Sequence, residues 1–312
     1  MQDFVPRFKK VAAEATPRAF RTIWWIFRIT ATVSFAMFLL KYTGILYWVA
    51  ALVSPVFGWF GLPGSAAMAY VSGYFINVYS CIAVLSTLEL TAREITILGA
   101  MSLAAHAIPV ESAVQRKTGT SPAYTVVVRT LGSLALGFGL NLVLPGRPEA
   151  FTSPVALSGI PFFQIQGDFW PLLGEWALGL LKLTVWMTCL IYLLNLIQRA
   201  LYEFGIMEHI SKWFRPLMRF FGLSDNATFL WIVANVIGLS YGSAAILDEM
   251  DRGNLSPWEV KLLNTHIGIS HSNFEDLLLF SAIGGAWYVI LLSRWLLVTA
   301  LVWIIRGWKA IG

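Results

Sequence analysis

The chain has 312 residues, of which 12% are charged (22 Lys and Arg, 17 Asp and Glu), 57% hydrophobic and 14% aromatic, with a mean hydropathy of +0.69. That is about half the charge of an ordinary soluble domain and too little to cover a surface in water, which argues against a soluble enzyme, a disordered chain and a nucleic-acid binder. The net charge of +5 does not reverse this, because the basic residues stand at the ends of apolar runs, where membrane proteins carry them.

Residues 1–21 hold Arg7, Lys9, Lys10, Arg18 and Arg21 ahead of the first apolar run. No small-residue cleavage pattern follows that run, so the segment reads as a basic amphipathic helix on an anionic cytoplasmic leaflet. Apolar stretches follow at 22–41, 64–88, 91–113, 122–144, 174–198, 226–248, 257–280 and 283–305. Each approaches or exceeds the roughly 20 residues that a spanning helix needs. Two shorter amphipathic stretches, 44–60 and 205–220, lie between them. Residues 145–173 are broken by Pro145, Gly146, Pro148, Pro154, Gly159, Pro161 and Gly167 and read as an extramembrane linker. Cys81 and Cys189 sit inside apolar segments and read as packing residues.

The chain repeats itself. GILYWVAALVSPVFGWFGL (44–62) aligns without gaps on GIMEHISKWFRPLMRFFGL (205–223), and 65–85 aligns on 226–246 at the same offset. After a short insertion in the second half, 89–98 aligns on 254–263, and the register carries His106 onto His271. Thr91 with Glu94, and Ser256 with Glu259, have capping-box spacing, so a helix starts at each. Pro257 suits the first helical position, where no N–H is needed.

These segments divide as 22–144 for the first repeat, 174–305 for the second and 306–312 for a cytoplasmic tail. With 64–88 and 226–248 as re-entrant hairpins, Arg116, Lys117, Lys212, Arg215, Arg219, Arg306 and Lys309 fall on the cytoplasmic side together with both termini. Each repeat then has three spans, an odd number, so the halves are inverted. The expected fold is an all-α polytopic membrane protein of two inverted repeats. Each repeat has three transmembrane helices, an amphipathic interfacial helix and a re-entrant helical hairpin.

Ionisable groups inside such spans are costly and usually face a cavity or a partner. His106 stands as far along the chain from Thr91 as His271 does from Ser256. At a rise of about 1.5 Å per residue, roughly 22 Å of helix puts both near the midplane, from opposite faces. Pro109 is expected to kink the first helix and free a carbonyl, and Glu111 is the only acid nearby. His266, Ser270, His271, Asn273, Glu275 and Asp276 crowd the second helix. The hairpin centres offer Asn77, Tyr79 and Ser80 in one half and Asn235, Ser240, Tyr241 and Ser243 in the other. Exposed half-helix ends there would bind a polar solute without a full charge. The competing reading of these residues is close packing between helices. Asp248, Glu249 and Asp251 form an acidic run that reads as a solvated loop.

The paired amphipathic helices, the Gly- and Ser-bearing hairpins and the H-x-x-P-x-E (His106, Pro109, Glu111) and H-x-x-x-E (His271, Glu275) helices resemble the nucleoside-recognition (Gate) domain membrane proteins. These include spore-maturation-type gate proteins, and their module is shared with concentrative nucleoside and Feo-type iron transporters. AAHAIPV (104–110) looks similar to the iron-transporter gate signature, with His106 in place of a smaller residue. The resemblance spans most of 22–144 and 174–305. It implies a transport-like fold and a nucleoside-like solute, although Asn77 and Ser240 stand where nucleoside transporters use other polar groups and a buried acid.

The leading expectation is therefore a secondary permease of a small polar solute rather than an enzyme. It is placed in a bacterial inner membrane, with no resident cofactor and with H+ or Na+ as a coupling ion. Asn77, Tyr79, Ser80, His106, Glu111, Asn235, Ser240, Tyr241, Ser243, His271, Asn273 and Glu275 are the candidate solute contacts. The alternatives are a divalent-metal transporter, with His106, Glu111, His266, His271, Glu275 and Asp276 as ligands, and a non-transporting subunit of a membrane complex. The expected partners are the bilayer, the solute, and a second copy or a second gate protein.

Overall fold

The computed structural model describes residues 4–146, 163–236 and 238–311. Arg147, Pro148, Pro154, Gly159 and Pro161 of the linker lie outside the described residues. The described part is helical throughout, with no strand. The helices are α1 (Phe4–Tyr42), α2 (Ile45–Gly58), α3 (Ala66–Phe75), α4 (Val78–Leu85), α5 (Ala92–Ala104), α6 (Ile108–Lys117) and α7 (Pro122–Val143). They continue as α8 (Phe169–Glu203), α9 (Ile206–Phe220), α10 (Thr228–Val236), α11 (Leu239–Asp251), α12 (Pro257–Ser270), α13 (Glu275–Ala282) and α14 (Trp287–Ile311). The order of α8 to α14 reproduces that of α1 to α7.

Three stretches among the described residues are long and apolar enough to cross a membrane: Ala92–Lys117, Pro122–Val143 and Trp287–Trp308. A fourth is made if Thr30–Tyr42 and Ile45–Gly58, bent by 85°, count as one.

Three expectations are corrected. The basic opening is not a separate helix, because α1 runs unbroken from Phe4 to Tyr42, about 58 Å at 1.5 Å per residue. Its charges do not only face lipid: Arg7 lies 3.5 Å and Lys10 3.9 Å from Glu203, and Arg199 pairs with Glu14. The second half starts at Phe169 rather than 174. The end of the linker is tied back to the end of α1 by Gln164 and Gln166, whose N–H groups donate to the Thr43 and Tyr42 carbonyls. Finally, the spans 91–113 and 257–280 are not continuous helices. Each is two helices with a break.

The two long helices, α1 and α8, pack antiparallel. Arg7 near the start of α1 meets Glu203 at the end of α8. Thr16 Oγ1 lies 3.1 Å from the Tyr192 hydroxyl, Trp176 donates to Ser34 Oγ, and Tyr42 meets the Phe169 ring at 5.3 Å.

Both hairpins, α3–α4 and α10–α11, cross where one residue is glycine. A Cβ on Gly73 would stand 3.0 Å from Cys81 Cβ. In the second hairpin the glycine changes sides: a Cβ on Gly242 would stand 2.6 Å from Ala234 Cβ and 2.8 Å from its Cα. The four residues correspond pairwise in the repeat alignment, so both halves meet one steric demand with opposite choices.

The capping boxes form as expected. Thr91 accepts from the Glu94 N–H and Glu94 accepts from the Thr91 N–H; Ser256 and Glu259 do the same. They fix the start of α5 and α12, and hence the depth at which each helix ends.

The buried contacts of α5 with α13 and of α12 with α6 are not alike. Gly99 in α5 lies against the Phe280 ring, where a Cβ would stand 2.9 Å from Cδ1. The corresponding residues in the other half are Asn264 and Gln115. There Gln115 Nε2 donates to the Asn264 carbonyl, and Asn264 Nδ2 donates to the Thr118 and Thr120 hydroxyls. Thr125 donates to Gln115 Oε1. A ring in one half is thus replaced by a hydrogen-bond cluster in the other.

Candidate functional site between two broken helices

α5 ends at Ala104 and α12 at Ser270. Ala107 (φ 45°) and Ser272 (φ 58°) are the two non-glycine residues with positive φ among the described residues. Each directly follows a histidine, and the repeat register that joins the histidines joins these two as well. A non-glycine residue in this region costs about 1–3 kcal/mol and persists only where its surroundings enforce it. Here they do. The Ala107 N–H donates to the Gly73 carbonyl of the first hairpin, and the next helix starts at once with Pro109 in its first turn. Ala107→Gly is expected to raise the melting temperature of the purified protein, and Ala107→Val to lower it, because only glycine enters this region without a Cβ penalty.

The breaks leave carbonyls without helical partners, and two buried arginines satisfy them. Arg129 of α7 is 1% exposed; its Nε donates to the Ala104 carbonyl at 2.9 Å and its Nη2 to that of His106 at 3.1 Å. Arg294 of α14 is 0% exposed; its Nε donates to the Ile269 carbonyl at 2.8 Å and its Nη2 to that of His271. Every one of these groups has its counterpart in the other half, in the same register. A guanidinium at a helix C-terminus also suits the negative end of the helix dipole.

The histidines are held by the same logic. His106 Nδ1 lies 3.2 Å from the Ser102 carbonyl and His271 Nδ1 2.7 Å from that of Ile267. A carbonyl only accepts, so each Nδ1 carries a hydrogen and each Nε2 points inward. The rings come together with centroids 4.9 Å apart.

Glu111, in the first turn of α6, reaches between the rings. Its Oε1 is 3.2 Å from His106 Nε2 and 3.0 Å from His271 Nε2, and its Oε2 accepts from Arg129. Asp276, the Glu111 counterpart in the first turn of α13, stands 3.7 Å from His106 Nε2. It does not complete the symmetric pattern, and Arg294 Nη1 finds no partner among the described residues.

The structure therefore gathers His106, Glu111, His271 and Asp276. Other expected site residues lie around them. Tyr79 donates to Glu275, which joins the first hairpin to α13. Asn77 caps α4, accepting from the Ser80 N–H and hydroxyl. Asn235 accepts from Asn273 Nδ2 at 2.6 Å, and Ser243 is buried without a hydrogen-bond partner among the described residues. The side chains of Ser240 and Tyr241 lie outside the described residues.

His266, expected as a metal ligand, is apart from this group. Its Nδ1 accepts from Trp231 Nε1 and lies 2.8 Å from Ser270 Oγ, and its ring is 4.3 Å from that of Phe221. It occupies the place that Met101 holds in the first half, within packed aromatics. The sequence reading missed Arg129 and Arg294. The register that joins His106 to His271 also joins these two, and they take the same position in their apolar helices, α7 and α14.

The fold and the composition define an all-helical polytopic membrane protein. Residues 23–134 match the Gate family, described as nucleoside recognition. The chain is also similar to the "Uncharacterized membrane protein YvoD" of Bacillus subtilis (strain 168), with 27% identity over 288 residues, covering 92% of this chain and 91% of that protein. No solved structure matches.

Proposed function

We propose that this chain is a secondary transporter of a small polar solute or ion, working by alternating access between two inverted repeats around the His106–Glu111–His271–Asp276 cluster. One observation carries the reading: two equivalent helix breaks, one from each half, converge on a single buried polar cluster. Broken helices that meet between repeats are a recurring way to hold a solute at membrane depth. The antiparallel pairing of α1 with α8 supports inversion, because these are corresponding helices of the two halves. α5 has 13 residues, about 20 Å, so its break falls past the middle of a hydrocarbon core of about 30 Å. The hairpins α3–α4 and α10–α11 are then re-entrant, and the positive-inside rule places both termini on the cytoplasmic face of a bacterial inner membrane.

Lys117 and Ala282 end corresponding helices, α6 and α13, and occupy equivalent positions in the repeat register. In a background with Cys81 and Cys189 changed to Ala, Lys117→Cys is expected to react with an impermeant maleimide from the cytoplasmic side and Ala282→Cys from the other. Labelling of both from one side would overturn the inverted arrangement. Transport itself is checked by uptake of labelled uridine and of Mn2+ into proteoliposomes. Uptake of one of them, lost in the His106→Ala, His271→Ala double variant, is the expected result.

A further inference from the structure

We propose that His106, His271, Glu111 and Asp276 bind one divalent first-row transition-metal cation. The inference rests on the transporter reading for its role as cargo or coupling ion, but the site itself stands on its own geometry.

Two of the donor spacings fall in the range of a metal shell, and the remaining donors lie close to it. With metal–ligand bonds of about 2.0–2.2 Å, neighbouring donors stand roughly 3.0–3.5 Å apart. Glu111 Oε1 lies 3.0 Å and 3.2 Å from the two Nε2 atoms, and Asp276 Oδ2 adds a fourth donor 3.7 Å from His106. The ligand atoms of the His–Glu–His set all lie within 4.8 Å of one another. Two imidazoles with carboxylates suit Mn, Fe, Co or Zn rather than Mg or Ca.

The surroundings match those of metal ligands. Each ligating ring has its other nitrogen fixed on a backbone carbonyl, and Arg129 holds the second oxygen of Glu111. Such outer contacts orient ligands and set the tautomer. His266, also buried, has its Nδ1 engaged by Trp231 and lacks this arrangement.

The test uses the purified full-length protein and Co2+ alone. One equivalent is expected to bind with the ligand-field absorption of a nitrogen- and oxygen-ligated ion. His106→Ala and His271→Ala are each expected to weaken binding by more than the roughly 10–100-fold that follows loss of an outer-shell partner. Asp276→Asn weakens it less. Glu249→Gln, in the acidic run at the C-terminal end of α11, leaves it unchanged.

If folded wild-type protein fails to bind Co2+, Mn2+ or Zn2+, or if binding survives in the His106→Ala, His271→Ala double variant, the metal site is overturned. The cysteine labelling above separates the two readings. Opposite-side labelling without metal binding removes the metal and keeps the transporter. Metal binding with same-side labelling keeps the site and removes the inverted transporter.

Discussion

Replacing Arg129 with Met is expected to cost about 3–5 kcal/mol, the range for breaking a buried ion pair by removing one partner. Three groups lose their donor at once: the Ala104 carbonyl, the His106 carbonyl and Glu111 Oε2. Water is not at hand to replace it, since Arg129 is 1% exposed. Arg129→Lys is expected to fare little better, because one ammonium lacks the planar fork that serves three acceptors in fixed directions. Arg294→Met removes the matching carbonyl bonds but strands no hydrogen-bonded carboxylate, as Arg294 Nη1 has no partner among the described residues. It should therefore be the milder of the two. Thermal unfolding of the detergent-purified variants, with size exclusion to confirm a monodisperse species, measures both. Equal losses would show that the arginines act only through the helix ends and not through Glu111.

The second large effect is expected at Gly242. An added Cβ meets Ala234 at 2.6 Å (Cβ), 2.8 Å (Cα) and 3.2 Å (N). Backbone cannot rotate away as a side chain can, so the hairpin helices must separate. Overpacking of this kind costs about 1–3 kcal/mol. Gly242→Ala should sit at the upper end and lower the melting temperature. Adding Ala234→Gly to that variant removes the 2.6 Å Cβ contact and should return part of the loss, the 2.8 Å approach to the backbone Cα remaining. The glycine then lies on the first helix of the crossing and the larger residue on the second, as Gly73 and Cys81 do in the other hairpin. Gly73→Ala meets only the Cys81 side chain at 3.0 Å and should be felt less. A double variant no more stable than Gly242→Ala alone would show that the crossing is set elsewhere.

Much of this architecture is legible in the sequence, and for physical reasons. The capping boxes at Thr91 and Ser256 are local, and local hydrogen bonds survive translation from sequence to structure. The Gly- and Ser-bearing segments 64–88 and 226–248 read as hairpins because two half-length helices accommodate their apolar residues and still leave the basic clusters on one side. What escaped was the break itself. Pro109 suggested a kink, whereas the chain stops α5 at Ala104 and restarts, with Pro109 in the first turn of α6 where a missing N–H is harmless. In the second half no proline marks the break, and Ser272 simply takes a positive φ. That conformation is imposed by the arginine-bound carbonyls and the packing around them, which are tertiary contacts that no local pattern records. The same cause hid Arg129 and Arg294: a cation in an apolar helix looks like a topology marker until the carbonyls it serves are placed beside it. His266 shows the opposite failure. Its sequence neighbours suggested a ligand, but Trp231 and Phe221, far away in the chain, enclose it.

Glu111 and Asp276 differ by one methylene. In a chain of two identical halves, neither half would be preferred as the holder of both imidazoles. Here the longer acid spans both rings and still reaches its own arginine, while the shorter approaches one ring and leaves Arg294 partly unanswered. The cluster is thus unequal: one half supplies the acid that joins both rings, and the other leaves its arginine with an unused donor. In the proposed transporter, exchanging the two acids, Glu111→Asp with Asp276→Glu, would exchange those roles between the halves without touching the scaffold.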